Sequence, residues 1–331
     1  MAVAEQVPGA GAAAPSVMRL GRTLLQAREM TVVLLLLLLV VPLSIRYPQF
    51  HSGGNIDNVL LNVSQVAIVG IGMTMVILTA GIDVSVGSAL SVCAVVVGYI
   101  VVAGLSWPVA LLVGVLVGLL IGLANGLLVA VGRVHAIIIT LGTLNILRLL
   151  SFQTLHGHWL TGIPPTLSYF GHGLLLGLPF AWWVAVVLTI VATYFLRWRR
   201  SGRHIYAIGG SAETARLAGV NVPRLTTSVY LLTGGLVGVA SVIYVGGQGL
   251  VQTNVGVGFE LQVIAAVVIG GTSIVGGKGS VIGTLLGALL VGTIRNALVV
   301  ANAPALLEGL VLGILILVAI ALDVLRRRLR L

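Results

Sequence analysis

VALLVGVLVGLLIGLANGLLVAV, residues 109–131, carries no charged side chain and sets glycine at 114, 118, 122 and 126. A bilayer core about 30 Å thick takes roughly 20 apolar residues in helical form, so this stretch is long enough to cross a membrane. Small residues four apart share one helix face and let a second helix approach closely. In lipid that approach matters, because no hydrophobic drive holds helices together there. Gly283 and Gly287 repeat the spacing. Tight helix packing accounts for these positions without any further role.

The rest of the chain has the same character. Of 331 residues, 58% are hydrophobic and 8% charged, with 44 glycines and a mean hydropathy of +1.16. A soluble domain carries about 25% charged residues, which excludes a water-soluble enzyme, a nucleic-acid binder and a disordered protein. The apolar excess runs from residue 31 to residue 324, so it is not one anchor with a soluble head. The fold expected is an all-α polytopic membrane protein of about ten transmembrane helices with a weak internal repeat. The apolar runs are 30–45, 58–80, 86–103, 109–131, 136–154, 174–196, 227–246, 261–275, 281–301 and 306–325. The first is kept as a span, since no small-residue cleavage site follows it. The single cysteine, Cys93, rules out an intrachain disulfide framework or a cysteine zinc cluster.

Charge sets the orientation. With the N-terminus in the cytoplasm, fifteen of the 18 Lys and Arg residues fall inside, most of them between Arg197 and Arg224 or at the C-terminus. Arg46 falls outside, and Arg148 and Arg295 sit at membrane depth. Cytoplasmic loops carry such an excess, so the net charge of +10 reads as topology and not as nucleic-acid binding. Both termini are expected in the cytoplasm. Three parts follow: a disordered cytoplasmic leader over 1–29, a transmembrane domain over 30–325 with a cytoplasmic loop at 197–226, and a basic cytoplasmic tail over 326–331.

Two segments interrupt the apolar pattern at cytoplasmic bends: Gly81-Ile-Asp-Val-Ser-Val-Gly-Ser88 and Gly270-Gly-Thr-Ser-Ile-Val-Gly-Gly-Lys-Gly-Ser280. Residues 76–88 and 268–280 look like copies of one pattern. Paired interruptions point to internal repeats and to the pathway between them, although two ordinary tight turns would read the same way. Lys278 does not belong to a phosphate loop, because Thr272 and Gly279 stand where that pattern needs glycine and Ser or Thr.

Polar residues within spans are costly in lipid and face the bundle interior, a cavity or an interface. The candidates for a pathway are Asp83, Ser85, Asn125, Thr140, Asn145, Arg148 and Asn296. Helix–helix hydrogen bonds explain each of them equally well. As a set, uncharged amides and hydroxyls suit a neutral, hydroxylated solute better than an ion, and Asp83 is the only carboxylate that comes close to the membrane interior. His156-Gly-His158-Trp159 lacks an acidic or thiol neighbour, so interfacial aromatics and loop rigidity explain it better than a metal. In the loop over 197–226, Ser211 can cap a short helix through Ala218, stopped by Gly219 with Pro223 beyond. Its small face of Ala212, Ala215 and Ala218, with Glu213 and Arg216, suits docking in a partner's groove; a basic loop lying on anionic headgroups is the plainer alternative.

Several motifs now add up, in order along nearly the whole apolar region. They are Gly81-Ile-Asp-Val-Ser-Val-Gly-Ser88, Ala124-Asn-Gly126, Ile139-Thr-Leu-Gly-Thr143, Gly202-Arg-x-x-Tyr-Ala-Ile-Gly-Gly210, Ala215-Arg-Leu-Ala-Gly219 and Gly258-Phe-Glu-Leu followed by Ala265 to Ser280. The chain resembles the permease subunits of ABC importers of the ribose and simple-sugar class. The Asp-Val-Ser-Val-Gly-Ser run, Cys93 and His158–Pro164 look most like autoinducer-2 permeases and their rhamnose relatives. The resemblance implies a non-enzymatic inner-membrane subunit that binds no cofactor itself. It would pair with a second permease chain, identical or paralogous. Two cytoplasmic ATPase subunits that bind ATP and a periplasmic sugar-binding protein would complete the assembly. It also implies that Ser211, Ala212, Glu213, Ala215, Arg216, Leu217 and Gly219 form a coupling helix received by the ATPase. Two other classes compete: a self-sufficient secondary carrier, and an intramembrane enzyme. The second fails because His156 and His158 lie across the membrane from Asp83 in this topology.

Overall fold

The computed structural model describes residues 28–132, 134–304 and 306–328. The leader expected over 1–29, apart from its last two residues, and the tail beyond 328 lie outside these. The helices are α1 (Arg28–Arg46), α2 (Gly53–Leu78), α3 (Val86–Val102), α4 (Trp107–Ala130), α5 (Ala136–Thr154), α6 (Pro165–His172), α7 (Phe180–Trp198), α8 (Arg200–Gly210), α9 (Ala212–Leu217), α10 (Val222–Gln248), α11 (Phe259–Ile269), α12 (Val281–Val300) and α13 (Leu306–Arg328). Among the described residues six helices are long and apolar enough to cross a bilayer: α2, α4, α5, α7, α10 and α12. Shorter apolar helices are α1, α3, α11 and α13. The chain is an all-α polytopic membrane protein.

Some boundaries differ from the sequence reading for physical reasons. The span expected over 174–196 begins only at Phe180. Before it, strands β1 (Leu174–Leu175) and β2 (Leu178–Pro179) pair antiparallel. Leu176 and Gly177 turn between them at φ of 53° and 78°, and positive φ at both central residues is the turn that matches strand twist. A leucine-rich hairpin counts as apolar just as a helix does. The span expected over 261–275 ends at Ile269. Two glycines follow it, with Gly271 at φ 92°, a conformation that ends the helix at little cost.

The core is built around α2, whose apolar window is 89% buried. It packs against α10, α12, α7 and α11. The tightest crossing joins α4 to α10. A Cβ on Gly118 would fall on the carbonyl oxygen of Gly234, and one on Gly234 would fall on that of Gly118. Gly122 lies likewise on the Tyr230 carbonyl, Gly126 on Thr227, and Gly238 on the Gly114 carbonyl. The four-residue glycine spacing that marks the sequence is therefore backbone-to-backbone contact. On the other side of α2, Gly283 and Gly287 of α12 meet Gly270 and Ala266 at the end of α11 in the same way. There Thr74 and Thr284 share a buried hydrogen bond of 2.6 Å.

Adding one methyl at such a crossing has nowhere to go but into backbone. Overpacking costs about 1–3 kcal/mol, so Gly118→Ala and Gly234→Ala should each lower the thermal midpoint of the purified chain in detergent. Gly313→Ala, where a Cβ meets nothing within 4 Å, should leave it unchanged. Equal behaviour of all three variants would show that this crossing does not hold the bundle.

Candidate functional site

The break after α2 is a network of neutral donors around one carboxylate. Ala80, at φ 62°, turns the chain out of the helix, and Asp83 beyond it is 4% exposed. Its carboxylate accepts from the Ser85 N–H at 2.9 Å and from the Ser85 hydroxyl at 2.6 Å. The Ser85 oxygen accepts from the Asn125 amide at 2.9 Å, and the Asn125 oxygen accepts from Thr143 at 2.7 Å. Thr140 accepts from the Val84 N–H at 3.2 Å and donates to the Ala136 carbonyl at 2.9 Å. Four of the seven pathway residues read from the sequence, Asp83, Ser85, Asn125 and Thr140, thus join the break to α4 and α5.

The other three lie elsewhere. Asn145 is exposed on α5 and bonds its own helix at Leu141. With Arg148, Ser151, Phe152 and Asn254 it lines an open cavity of about 490 Å³. Asn296 exchanges amide hydrogen bonds with Asn55 at 2.8 and 3.0 Å, pinning α12 to the start of α2. Counting Asp83 as the only carboxylate near the membrane interior needs correction. Glu260 lies 3.9 Å from Arg148 and Glu308 lies 3.1 Å from Arg295, so each membrane-depth arginine has its counter-charge. These pairs are 112 and 13 positions apart in sequence, and composition gives no sign of them.

Sequence reading missed a second cavity, of about 330 Å³, at the end of the bundle away from α8 and α9. Asn62 and Gln65 of α2, Tyr244 and Gln248 of α10, Gln262 of α11 and Arg295 of α12 are among its walls. One signal was there to be found. Asn55, Asn58, Asn62 and Gln65 recur at steps of three and four, which lines carboxamides along one face of a helix.

At the opposite end the two interruptions meet. The Gly277 N–H donates to the Leu78 carbonyl at 3.0 Å, joining the second break to the end of α2. Helix α8 seats on both: a Cβ on Gly209 would strike the Leu78 carbonyl and the Gly277 nitrogen, and the Tyr206 hydroxyl donates to the Gly279 carbonyl at 3.1 Å. Chain then turns directly into α9. Ser211 caps it by accepting from the Thr214 N–H at 3.2 Å, and Gly219 leaves it at φ 84°, where a side chain would be strained. The helix stops at Leu217, one residue before the expected end.

One expectation for α9 changes. Ala215 is turned inward, 4% exposed, against Ile208 and Val220, so it fixes α9 to α8 and is no contact surface. The outward face is Ala212, Glu213, Arg216 and Leu217, the last 76% exposed. Arg216 bonds Glu213 at 2.6 Å and holds its carboxyl below the usual carboxylate range. A lowered pKa means that the pair is fully formed above that range and is lost only as pH falls through the depressed value.

Removing the Ser85 hydroxyl takes one donor from a buried carboxylate and the acceptor from Asn125. Hydrogen bonds to charged groups contribute about 1.5–3 kcal/mol. Ser85→Ala should therefore lower the thermal midpoint clearly, while Ser85→Thr, which keeps the hydroxyl, should retain most of the stability. Equal stability of the two variants would remove the hydroxyl from this account.

Comparison with known proteins gives a consistent answer. The family described as branched-chain amino acid transport system, permease component, matches residues 55–320. The ribose import permease protein RbsC of Escherichia coli (strain K12) is 38% identical over 304 residues, covering 91% of this chain and 94% of that one. Its Bacillus subtilis (strain 168) namesake is 39% identical over 290 residues, 87% and 90% of the two chains. The autoinducer 2 import system permease protein LsrC of Salmonella typhi is 34% identical over 296 residues, 89% and 85%. No solved structure matches the chain. A family match over most of the bundle, together with nearly full-length relatives at more than one-third identity, makes this chain a member of that family of transport-system permease components.

Proposed function

We propose that the chain is the transmembrane subunit of an ATP-binding-cassette importer that carries a simple sugar or sugar-like molecule across the inner membrane, with α9 received by the ATPase. The observation that carries this reading is the seat of α9: a capped, exposed helix carried on α8, which itself grips both breaks in the membrane domain.

The finer assembly follows from the same reading. Helices α1, α3, α11 and α13 join the six longer helices to make ten spans over 30–325, with the leader over 1–29 and the tail over 326–331 assigned to the cytoplasm. The contact between residues 76–88 and 268–280 supports a two-fold repeat whose copies meet at their breaks. Two permease chains, two ATPase subunits and a periplasmic binding protein complete the importer. The pathway runs beside Asp83, Ser85, Asn125 and Thr140, and past the open cavity of Asn145 and Arg148. Neutral amides and hydroxyls, with both deep arginines paired, favour an uncharged hydroxylated cargo. Ribose, named for one group of relatives, is of that kind; autoinducer 2 is named for the other, and the identities to the two groups do not choose between them.

Affinity purification of the tagged chain from its own host in mild detergent should bring down an ATPase. Co-purification of a second, different permease would mark a paired system, and its absence a homodimer. In membrane vesicles, uptake of labelled sugar should follow ATP and resist uncouplers. Glu213→Ala, Gly219→Val and Gly209→Ala should each cut that uptake at least tenfold while the chain still inserts. A chain that repeatedly purifies alone, or wild-type uptake in all three variants, would remove α9 from the coupling role.

A further inference from the structure

Gln65 lies midway along α2 and is 5% exposed. It lines the cavity of about 330 Å³ at the end of the bundle away from α9, and its side-chain nitrogen has no hydrogen-bond partner within the described chain. Buried polar groups in native proteins are nearly always bonded. Around it stand Asn62, Gln248 and Gln262. The Asn62 amide already donates to the Asn58 carbonyl and that of Gln262 to Glu308, which leaves each of these two a second N–H and a carbonyl acceptor. A sugar hydroxyl donates and accepts at once, and carboxamides answer both needs. The formal charge on this wall is cancelled, since Arg295 is paired with Glu308 at 3.1 Å, and Gln262 donates to the same Glu308 oxygen at 3.0 Å. Tyr244 and Phe259 add ring surface, suited to the apolar C–H faces of a sugar. Ligand pockets run from about 300 to 1,000 Å³, so this one takes a small molecule.

The geometry points to a binding site for one uncharged, polyhydroxylated molecule of monosaccharide size within a single permease chain, held by Gln65 and Gln262. It deepens the import reading above and rests on it for the class of cargo. The site is separate from the bonded network at Asp83 and adjoins the open cavity on α5, with which it shares Asn254, Val255 and Val257. Its placement matters too. Besides the segment over 252–257, five helices wall it, α2, α3, α10, α11 and α12, and all run to the end where α8, α9 and the two breaks meet. At 1.5 Å per residue, Gln65 is about 20 Å along α2 from Leu78, whose carbonyl α8 covers. Continuous helices therefore connect this site to the coupling end.

The full chain in lipid nanodiscs, titrated with D-ribose and with ribose 5-phosphate as its charged counterpart, tests the site. Thermal midpoint and equilibrium binding of radiolabelled ligand are the readouts. The neutral sugar should bind and raise the midpoint, and the phosphate should bind at least tenfold more weakly. Gln65→Leu should weaken D-ribose binding at least tenfold while keeping or raising the midpoint of the unliganded chain, since it removes an unpartnered buried donor. Gln248→Ala, at the exposed rim, should weaken binding several-fold and guards against a folding failure in the first variant. Undiminished binding in both variants, equal binding of the phosphate, or no binding of D-ribose, D-glucose or erythritol would each overturn the site. Purification of the wild type with its ATPase reports separately on the import reading. A chain that holds its ATPase but binds no neutral sugar loses this site alone, and a chain that binds sugar but holds no ATPase loses the import reading alone.

Discussion

Backbone contact between α4 and α10 is the constraint on which the rest depends. Lipid tails are as apolar as leucine, so burial of leucine gains nothing inside the bilayer and helices associate through dispersion and close approach. Each atom pair contributes little, and only a long run of contacts adds up. Glycines at 114, 118, 122 and 126 against 234 and 238 supply that run. The crossing fixes α10 against α4, and α3 packs on both. Helix α10 then presents Asn221, which caps its start beside α9, and Gln248 at its far end.

Such rigidity turns attention to the places where the backbone is irregular. Non-helical chain at membrane depth survives only where protein or water satisfies it. The second break meets that condition by bonding to the end of α2 and to α8, and the first by bonding to Thr140 of α5 and Asn125 of α4. Gly209 has no room for a side chain because the Leu78 carbonyl and Gly277 nitrogen already fill the space. A contact that close allows few intermediate positions. Movement of α8 must shift both breaks together or separate from them. A ligand biases such a movement only by as much as it binds the two positions differently.

Much of this was legible in the sequence, for reasons that differ by element. The long spans and the α4 ladder could be read because lipid imposes both length and small-residue spacing on a single helix. The cap at Ser211 and the stop at Gly219 were local chemistry, complete within nine residues. The hairpin at 174–179 was lost because leucine content does not distinguish a strand from a helix. Ala215 was placed on the wrong side of α9, since six residues of helix carry too little pattern to tell which face rests on Ile208. The pairing Arg148–Glu260 depends on how distant helices assemble, and Arg295–Glu308 on how α13 folds back against α12, neither of which a local rule reports.

Those two ion pairs bear on what the bundle can carry. An isolated arginine at membrane depth would attract anions and repel cations. Here the nearest carboxylates, Glu260 and Glu308, cancel the formal charge and leave dipoles as the main polar groups along the cavity walls. The Arg148 pair is open, at 3.9 Å with no hydrogen bond closing it. The Arg295 pair is closed, at 3.1 Å, and Gln262 bonds its carboxylate as well. The closed pair borders the cavity rich in carboxamides, where a neutral ligand would gain most from donors and acceptors that bring no net charge. A charged cargo would have to give up its hydration there without a free counter-ion to replace it, a loss that an uncharged one would not suffer.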